Sequence, residues 1–278
     1  MITKNAMQFK SIIKKTAKEK NISPQLVMQN YMLERLLERI SLSKYHDNFI
    51  FKGGFLISSI VGLSSRATMD LDTTIKGFTL THESITDIFK EICNIEIDDD
   101  ITFEFLNVTD IRETDDYPGI RVSVKANYSP ISVPLTVDVT TGDVITPKEI
   151  KYHHNSVLAY NLETILAEKI ETVLSRSIAN TRPRDYYDIY ILYFLHKSDI
   201  NFSTLREALE KTTIKRRSTH ILNKYEDILD TIKNNKRLHD IWDKYSKDYD
   251  YVKDISFEMT YEAISSILSN IYSGVLVW

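Results

Sequence analysis

The sequence predicts an α+β fold: a mixed or antiparallel sheet flanked by helices, followed by a mainly helical C-terminal domain. Three observations lead there. Residues 101–140 alternate apolar and polar side chains with a period of two. Residues 5–45 and most of the chain beyond 160 repeat apolar residues at helical spacing. Thr146-Pro147 lies between the two regimes, so the expected division is residues 1–147 and 148–278.

The elements follow in order. Ser23-Pro24 reads as an N-cap with proline in the first helical turn, and Leu26, Leu33, Leu36, Leu37 and Ile40 continue at helical spacing. Phe49-Ile50-Phe51 reads as a short strand. Lys52-Gly53-Gly54 is a turn, and Phe55 to Val61 a helix. In the sheet, Ile120, Val122, Val124 and Ala126 alternate with Arg121, Ser123, Lys125 and Asn127; Val133, Leu135, Val137 and Val139 alternate with Pro134, Thr136 and Asp138. One face is expected to be buried and the other polar. Helices are expected over 162–178, 184–196, 203–212, 218–233 and 256–272. The apolar run Ile264 to Trp278 reads as core packing.

Composition excludes several classes. The 278 residues are 42% hydrophobic and 27% charged, which permits a packed core and argues against disorder. Seven glycines and six prolines are too few for a collagen or a flexible linker. A net charge of -4 means that any nucleic-acid contact must come from a local patch. The single cysteine, Cys93, excludes an internal disulfide and a four-cysteine zinc site, and it fits a reducing, cytoplasmic setting. No leader is read at the N-terminus and no membrane span elsewhere. The run Tyr186 to Leu195 is short and interrupted by Asp188.

Asp70-Leu71-Asp72 is the feature with chemical weight. On a strand, residues two apart share a face, so two carboxylates stand side by side with Leu71 buried behind them. Like charges so placed repel, and a divalent cation resolves the repulsion; hard oxygen ligands suit magnesium. Asp138, on the polar face of a second strand, is a candidate third carboxylate for a site that positions a nucleoside triphosphate. The structural alternative is an Asp-x-Asp at a solvated strand end. Gly53-Gly54 lets backbone approach a ligand, and the helix that follows offers free N–H groups to phosphate. Ser58, Ser59, Arg66 and Thr68 lie between this turn and Asp70, within reach of triphosphate oxygens. The structural alternative is an ordinary turn. No Gly-Lys-Ser/Thr follows at P-loop spacing.

Lys169 falls within the apolar stripe Leu162, Ile165, Leu166, Ile170 and Val173. It either snorkels or meets a triphosphate or leaving group in a cleft. Arg176 follows on nearly the same side. Arg182-Pro183-Arg184-Asp185-Tyr186-Tyr187-Asp188 comes next, with Asp185 and Asp188 on one face in a first helical turn. The macrodipole also favours carboxylates there for structural reasons.

In order, these pieces resemble the AbiEii/AbiGii toxin family of nucleotidyltransferases. The matching pattern is Lys52-Gly53-Gly54, Arg66-x-Thr68-x-Asp70-Leu71-Asp72, Lys169, and Arg184-Asp185-Tyr186-Tyr187-Asp188. The resemblance implies a sheet like that of the DNA polymerase β-type nucleotidyltransferases. It implies nucleotide transfer from a nucleoside triphosphate with Mg2+ (or Mn2+), by a toxin of a two-gene toxin–antitoxin and phage-resistance (abortive infection) system. A cognate antitoxin encoded nearby and an RNA target, the acceptor end of tRNA in some members, are the implied partners. By carry-over Asp70 and Asp72 bind metal, with Asp138 added from its strand position. Asp70, Asp72, Lys169 and Asp185 are needed for activity. Lys52, Gly53, Gly54, Ser58, Arg66, Thr68, Arg184 and Asp188 are the candidate nucleotide-binding residues. The wider superfamily has Gly-Ser where this chain has Gly53-Gly54, and Ser58 is the candidate replacement hydroxyl.

Past residue 200, Lys215-Arg216-Arg217, Lys224, Lys233, Lys236 and Arg237 are interleaved with tyrosines and Trp242, a composition that suits RNA phosphates and unpaired bases. Asp227, Asp230, Asp240 and Asp243 sit among them, as on a solvated helix face. Two other functions fit the same residues: a small-molecule nucleotidyltransferase of the antibiotic-modifying kind, and a non-catalytic nucleotide-binding partner protein.

Overall fold

The structure is a computed structural model and describes residues 5–66, 68–111, 119–143, 147–152 and 155–272. Two units make up the chain. The first, residues 1–143 and 147–159, carries the sheet; the second, residues 144–146 and 160–278, is helical. Thr146 of the expected break and residues 273–278 of the expected apolar C-terminal run lie outside the described residues.

The sheet has seven strands in the order β3-β4-β5-β2-β1-β7-β6. They are β1 (Phe49–Lys52), β2 (Asp70–Ile75), β3 (Thr102–Asp110), β4 (Gly119–Tyr128), β5 (Ile131–Thr141), β6 (Pro147–Tyr152) and β7 (Asn155–Tyr160). β3, β4 and β5 form an antiparallel meander, β2 runs parallel to β5 and antiparallel to β1, and β7 runs parallel to β1. The sheet is mixed, as expected. It extends past Pro147 because β7 returns to pair with β1.

Four helices accompany this sheet: α1 (Ala6–Lys20), α2 (Pro24–Leu42), α3 (Gly53–Val61) and α4 (His82–Cys93). The Ser23 hydroxyl caps α2 by accepting from the Leu26 N–H at 3.2 Å, and Pro24 opens the first turn, where its missing N–H costs nothing. α4 has no counterpart in the sequence reading, although Ile85, Ile88, Phe89 and Ile92 recur at helical spacing and Thr81 and Ser84 form a capping box. α2 packs against β5, and α4 against β3 and β4. Phe49, Leu71, Val122 and Val137 fill the covered face at 0% exposure. The period of two sends Arg121, Asp70, Asp72, Thr136 and Asp138 to the opposite face.

One buried ion pair ties α2 to the chain entering β3. Arg39, 1% exposed, donates to both Asp99 carboxylate oxygens at 3.0 and 2.9 Å and to the Ile101 carbonyl at 2.6 Å. Its guanidinium lies 4.7 Å from the centre of the Phe103 ring. Cys93 is buried, which pushes its thiol up to about 11 and leaves it inert as a nucleophile.

The second unit holds α5 (Leu162–Arg176), α6 (Pro183–His196), α7 (Phe202–Lys215), α8 (Tyr225–Lys233), α9 (Lys236–Asp248) and α10 (Phe257–Tyr272). α5 packs on both α6 and α7, with Leu166, Ile170 and Val173 at 0% exposure. Glu171 of α5 is buried and accepts from Ser218 Oγ at 2.7 Å and Arg216 Nη1 at 2.6 Å, closing the end of α7 onto α5. Trp242 is buried and donates its indole N–H to the Ile255 carbonyl at 2.9 Å, so it is core rather than a surface stacking group. Among the described residues no helix is long and apolar enough to cross a membrane.

Arg39→Ala strands the Asp99 carboxylate in a buried place, and urea unfolding is expected to show a loss of about 3–5 kcal/mol.

Candidate active site

Strand register builds the site. Lys52 of β1 stands opposite Asp72 of β2, Asp72 stands beside Asp138 of β5, and Asp138 stands opposite Arg121 of β4. One row across four strands therefore reads lysine, aspartate, aspartate, arginine. Asp70 lies two residues before Asp72 on the same face, beside Thr136, whose hydroxyl donates to Asp70 Oδ1 at 2.7 Å. The cations at the ends of the row are engaged. Arg121 donates from Nε to Asp138 Oδ1 at 2.7 Å and from Nη2 to Oδ2 at 2.8 Å. Lys52 donates to Asp143 Oδ2 at 2.7 Å.

The glycine turn sits directly on the second aspartate. Gly53 has φ +69°, and a Cβ there would lie 2.0 Å from Asp72 Oδ2. Gly54 donates its backbone N–H to that same oxygen at 3.3 Å. A Cβ on Gly54 would meet Thr68 Oγ1 at 3.0 Å and Arg66 Nη2 at 3.1 Å. The turn is diglycine because three side chains converge on its backbone. Ser58 is buried on α3, one turn beyond Gly54. The sheet unit thus gathers Lys52, Gly53, Gly54, Arg66, Thr68, Asp70, Asp72 and Asp138 at one place, with Ser58 behind them.

In the helical unit, Lys169 of α5 donates to Asp185 Oδ1 at 2.7 Å and lies 2.9 Å from Asp188 Oδ2, both on α6. Asp185 and Asp188 are 5% and 0% exposed, and Asp185 Oδ2 is buried with no hydrogen-bond partner among the described residues. Arg184, next along α6, donates to the Tyr249 hydroxyl at 2.8 Å and lies 5.2 Å from the ring centre. Lys169 therefore neither snorkels to water nor stands free; two carboxylates clamp its amine.

A family model described as nucleotidyl transferase AbiEii toxin, type IV TA system, matches residues 35–263. The chain belongs to the AbiEii family. No curated protein matches it in sequence. Its fold is similar to that of a Helicobacter pylori protein assigned as a nucleotidyltransferase, with a TM-score of 0.52 at 13% identity over 91% of this chain and 96% of that one. It is also similar to JHP933 from Helicobacter pylori, with a TM-score of 0.50 at 14% identity over 90% of this chain and 93% of the other. The AbiEii chain is a nucleotidyltransferase and a toxin of the type IV toxin–antitoxin kind. Its family brings a nucleoside triphosphate as substrate and an antitoxin as counterpart.

The electrostatics of the AbiEii site follow from the row. Burial raises the pKa of Asp72 above the carboxylate range, and neighbouring Asp138 adds to the rise; Lys52 and the Gly54 N–H only partly oppose it. The two hydrogen bonds to Asp138 push the Arg121 guanidinium still further up, so it stays charged. In the helical unit, burial alone would lower the Lys169 pKa; Asp188 and Asp185 outweigh it and raise it. The oxygen donors of Asp70 and Asp72 fit a hard divalent cation, since neither carboxylate makes an ion pair among the described residues. Asp138 fits less well with Arg121 on both its oxygens, and among the described residues no three His, Cys, Asp or Glu side chains form a ready-made metal group.

Arg121, Thr136 and Asp143 were not singled out in the sequence reading. Arg121 and Thr136 are visible there only as polar members of alternating strands. Asp143 follows Gly142 past the end of β5 and carries no local signal.

Two outcomes test this geometry. Gly53→Ala forces a left-handed backbone on alanine, which costs about 1–2 kcal/mol. It also drives a methyl into Asp72, so both chemical stability and nucleotide transfer are expected to fall. A raised carboxylate pKa means that the folded chain holds the proton more tightly than the unfolded one, so stability falls as pH rises through that interval. In metal-free protein, Asp72→Asn is therefore expected to raise the melting temperature at pH 7. The difference should close at pH values low enough to protonate Asp72, as followed by circular dichroism.

Proposed function

We propose that this AbiEii toxin transfers a nucleotide from a nucleoside triphosphate to RNA, with the acceptor end of tRNA as target, in a reaction that depends on Mg2+ or Mn2+. The observation that carries the reading is the convergence of the Gly53-Gly54 turn, Arg66 and Thr68 on the paired aspartates of β2. Asp70 and Asp72 would hold the divalent ion. Such an ion neutralises triphosphate oxygens and aligns the attacking and leaving oxygens of an in-line displacement.

The remaining work falls to the chain itself. The N–H groups that start α3, apart from that of Gly54, which Asp72 accepts, offer donors to phosphate oxygens. Thr68 supplies a hydroxyl and Arg66 a guanidinium beside that turn, and its place against Gly54 favours Thr68 over Ser58, one helical turn further on, as the hydroxyl for the nucleotide. Lys52 adds a positive charge opposite Asp72. Lys169 is needed for activity as the charge centre of α5 and α6: an amine held by Asp185 and Asp188 with a raised pKa stays protonated and does not donate a proton at neutral pH. Asp185 and Asp188 keep that amine charged and oriented. Arg184, steadied by Tyr249, serves phosphate contact.

An RNA target agrees with the exposed Lys224, Lys233, Lys236 and Arg237 of the helical unit, although exposed Asp227, Asp230 and Asp240 are interleaved with them. A cytoplasmic site of action and a role in phage defence belong to the same reading.

The test is incubation of the full chain with total RNA and each labelled triphosphate in turn, with and without magnesium. Label is expected in a tRNA-sized band, only with magnesium. Asp70→Asn keeps an acceptor for the Thr136 hydroxyl and so the fold, and is expected to reduce transfer by at least about a thousandfold. Full activity in that variant, or label that appears equally in chelator, would overturn the reading.

A further inference from the structure

The row of charges across β1, β2, β5 and β4 has unequal members. Asp70 receives a neutral hydroxyl and Asp72 a single backbone N–H at 3.3 Å. Asp138 receives a guanidinium fork, with each of its two oxygens taken at 2.7 and 2.8 Å. The fork is set by the sheet. Arg121 and Asp138 are directly opposed partners in the β4–β5 ladder, and that ladder runs without a register break from Gly119↔Thr140 to Tyr128↔Ile131. A bidentate arginine–carboxylate pair is the strongest form of such contact, and arginine never releases its proton in this range.

We infer that Arg121 takes Asp138 out of the metal-ligand set, so that this site holds one divalent ion on Asp70 and Asp72 while Arg121 does for Asp138 what a second ion would otherwise do. The inference rests on the metal-dependent reading above. Charge balance agrees with it. Along the row itself Arg121 cancels Asp138 and leaves the charges of Asp70 and Asp72, which a single divalent ion neutralises; Lys52 is matched by Asp143, and Arg66 stands at the Gly54 turn. Ligand chemistry agrees too: magnesium is commonly held by one or two carboxylates and completes its shell with water and substrate phosphates. Arg121 has a 45% exposed side chain against 17% for Asp138, so the guanidinium shields the carboxylate from the solvent side. Arg121 is a positioning residue: it fixes the charge and the occupancy of the site through Asp138.

The experiment is a Mn2+ titration of the full chain without nucleotide, with free Mn2+ read by electron paramagnetic resonance. The wild-type protein is expected to bind one Mn2+ per chain. The double variant Arg121→Gln/Asp138→Asn removes the pair together, keeps the net charge of the site, and should hold that ion at unchanged affinity, whereas loss of a true ligand weakens binding by about tenfold or more. Arg121→Gln frees the carboxylate and is expected to add a second Mn2+. Both variants alter partly exposed side chains, and circular dichroism melts confirm that each is folded. Two ions in the wild type, a tenfold weakening in Arg121→Gln/Asp138→Asn, or an unchanged count in Arg121→Gln overturns the inference and leaves the metal-dependent reading standing. No bound Mn2+ in any of the proteins overturns both.

Discussion

Two carboxylates stand side by side on neighbouring parallel strands, and much of the sheet unit is arranged around that repulsion. Asp72 and Asp138 share a register position, where like charges destabilise a sheet. Each is answered from a different direction. Asp138 is neutralised by Arg121 from the next strand. Asp72 is answered by the Gly54 N–H, by the more distant charge of Lys52, and by a raised pKa. One aspartate is settled and its neighbour is left under tension, and the proposed divalent ion would relieve that tension at the second.

The glycine turn belongs to the same constraint. Asp72 approaches the backbone so closely that no side chain fits at Gly53, and Thr68 and Arg66 close over Gly54. Gly54, where the wider superfamily has serine, leaves little room for a side chain beside Thr68 and Arg66, and in the proposed reading Thr68 supplies the hydroxyl instead. The turn, the two aspartates and the Arg66 head form one packed object, and a change in any of them shifts the others.

The helical unit solves the reverse problem. There a partly buried cation, Lys169, is held between two carboxylates, and the surplus negative charge falls on Asp185, whose second oxygen is buried without a hydrogen-bond partner among the described residues. Leaving such an oxygen unsatisfied costs stability. The structure also separates this cluster from Arg184, which looks like a member of the same motif in the sequence but engages Tyr249 instead.

Local pattern in the sequence determined the strands of the meander, the cap of α2, the diglycine turn and the shared face of Asp70 and Asp72, because strand and helix periods and turn chemistry act over a few residues. The helical stripe marked Lys169 as out of place, and the three-residue spacing set Asp185 and Asp188 on one side. Tertiary structure decided what those groups touch. The pairing of β2 with β5 set Asp72 beside Asp138 across a long stretch of chain, and the meander delivered Arg121 to Asp138 and thereby altered what a third carboxylate can do. β7 returned to β1 and extended the sheet past Pro147, Trp242 went to the core, and Lys52 met Asp143. None of these has a local signature, since each depends on which strand lies next to which, and that choice is made by the packing of the whole sheet.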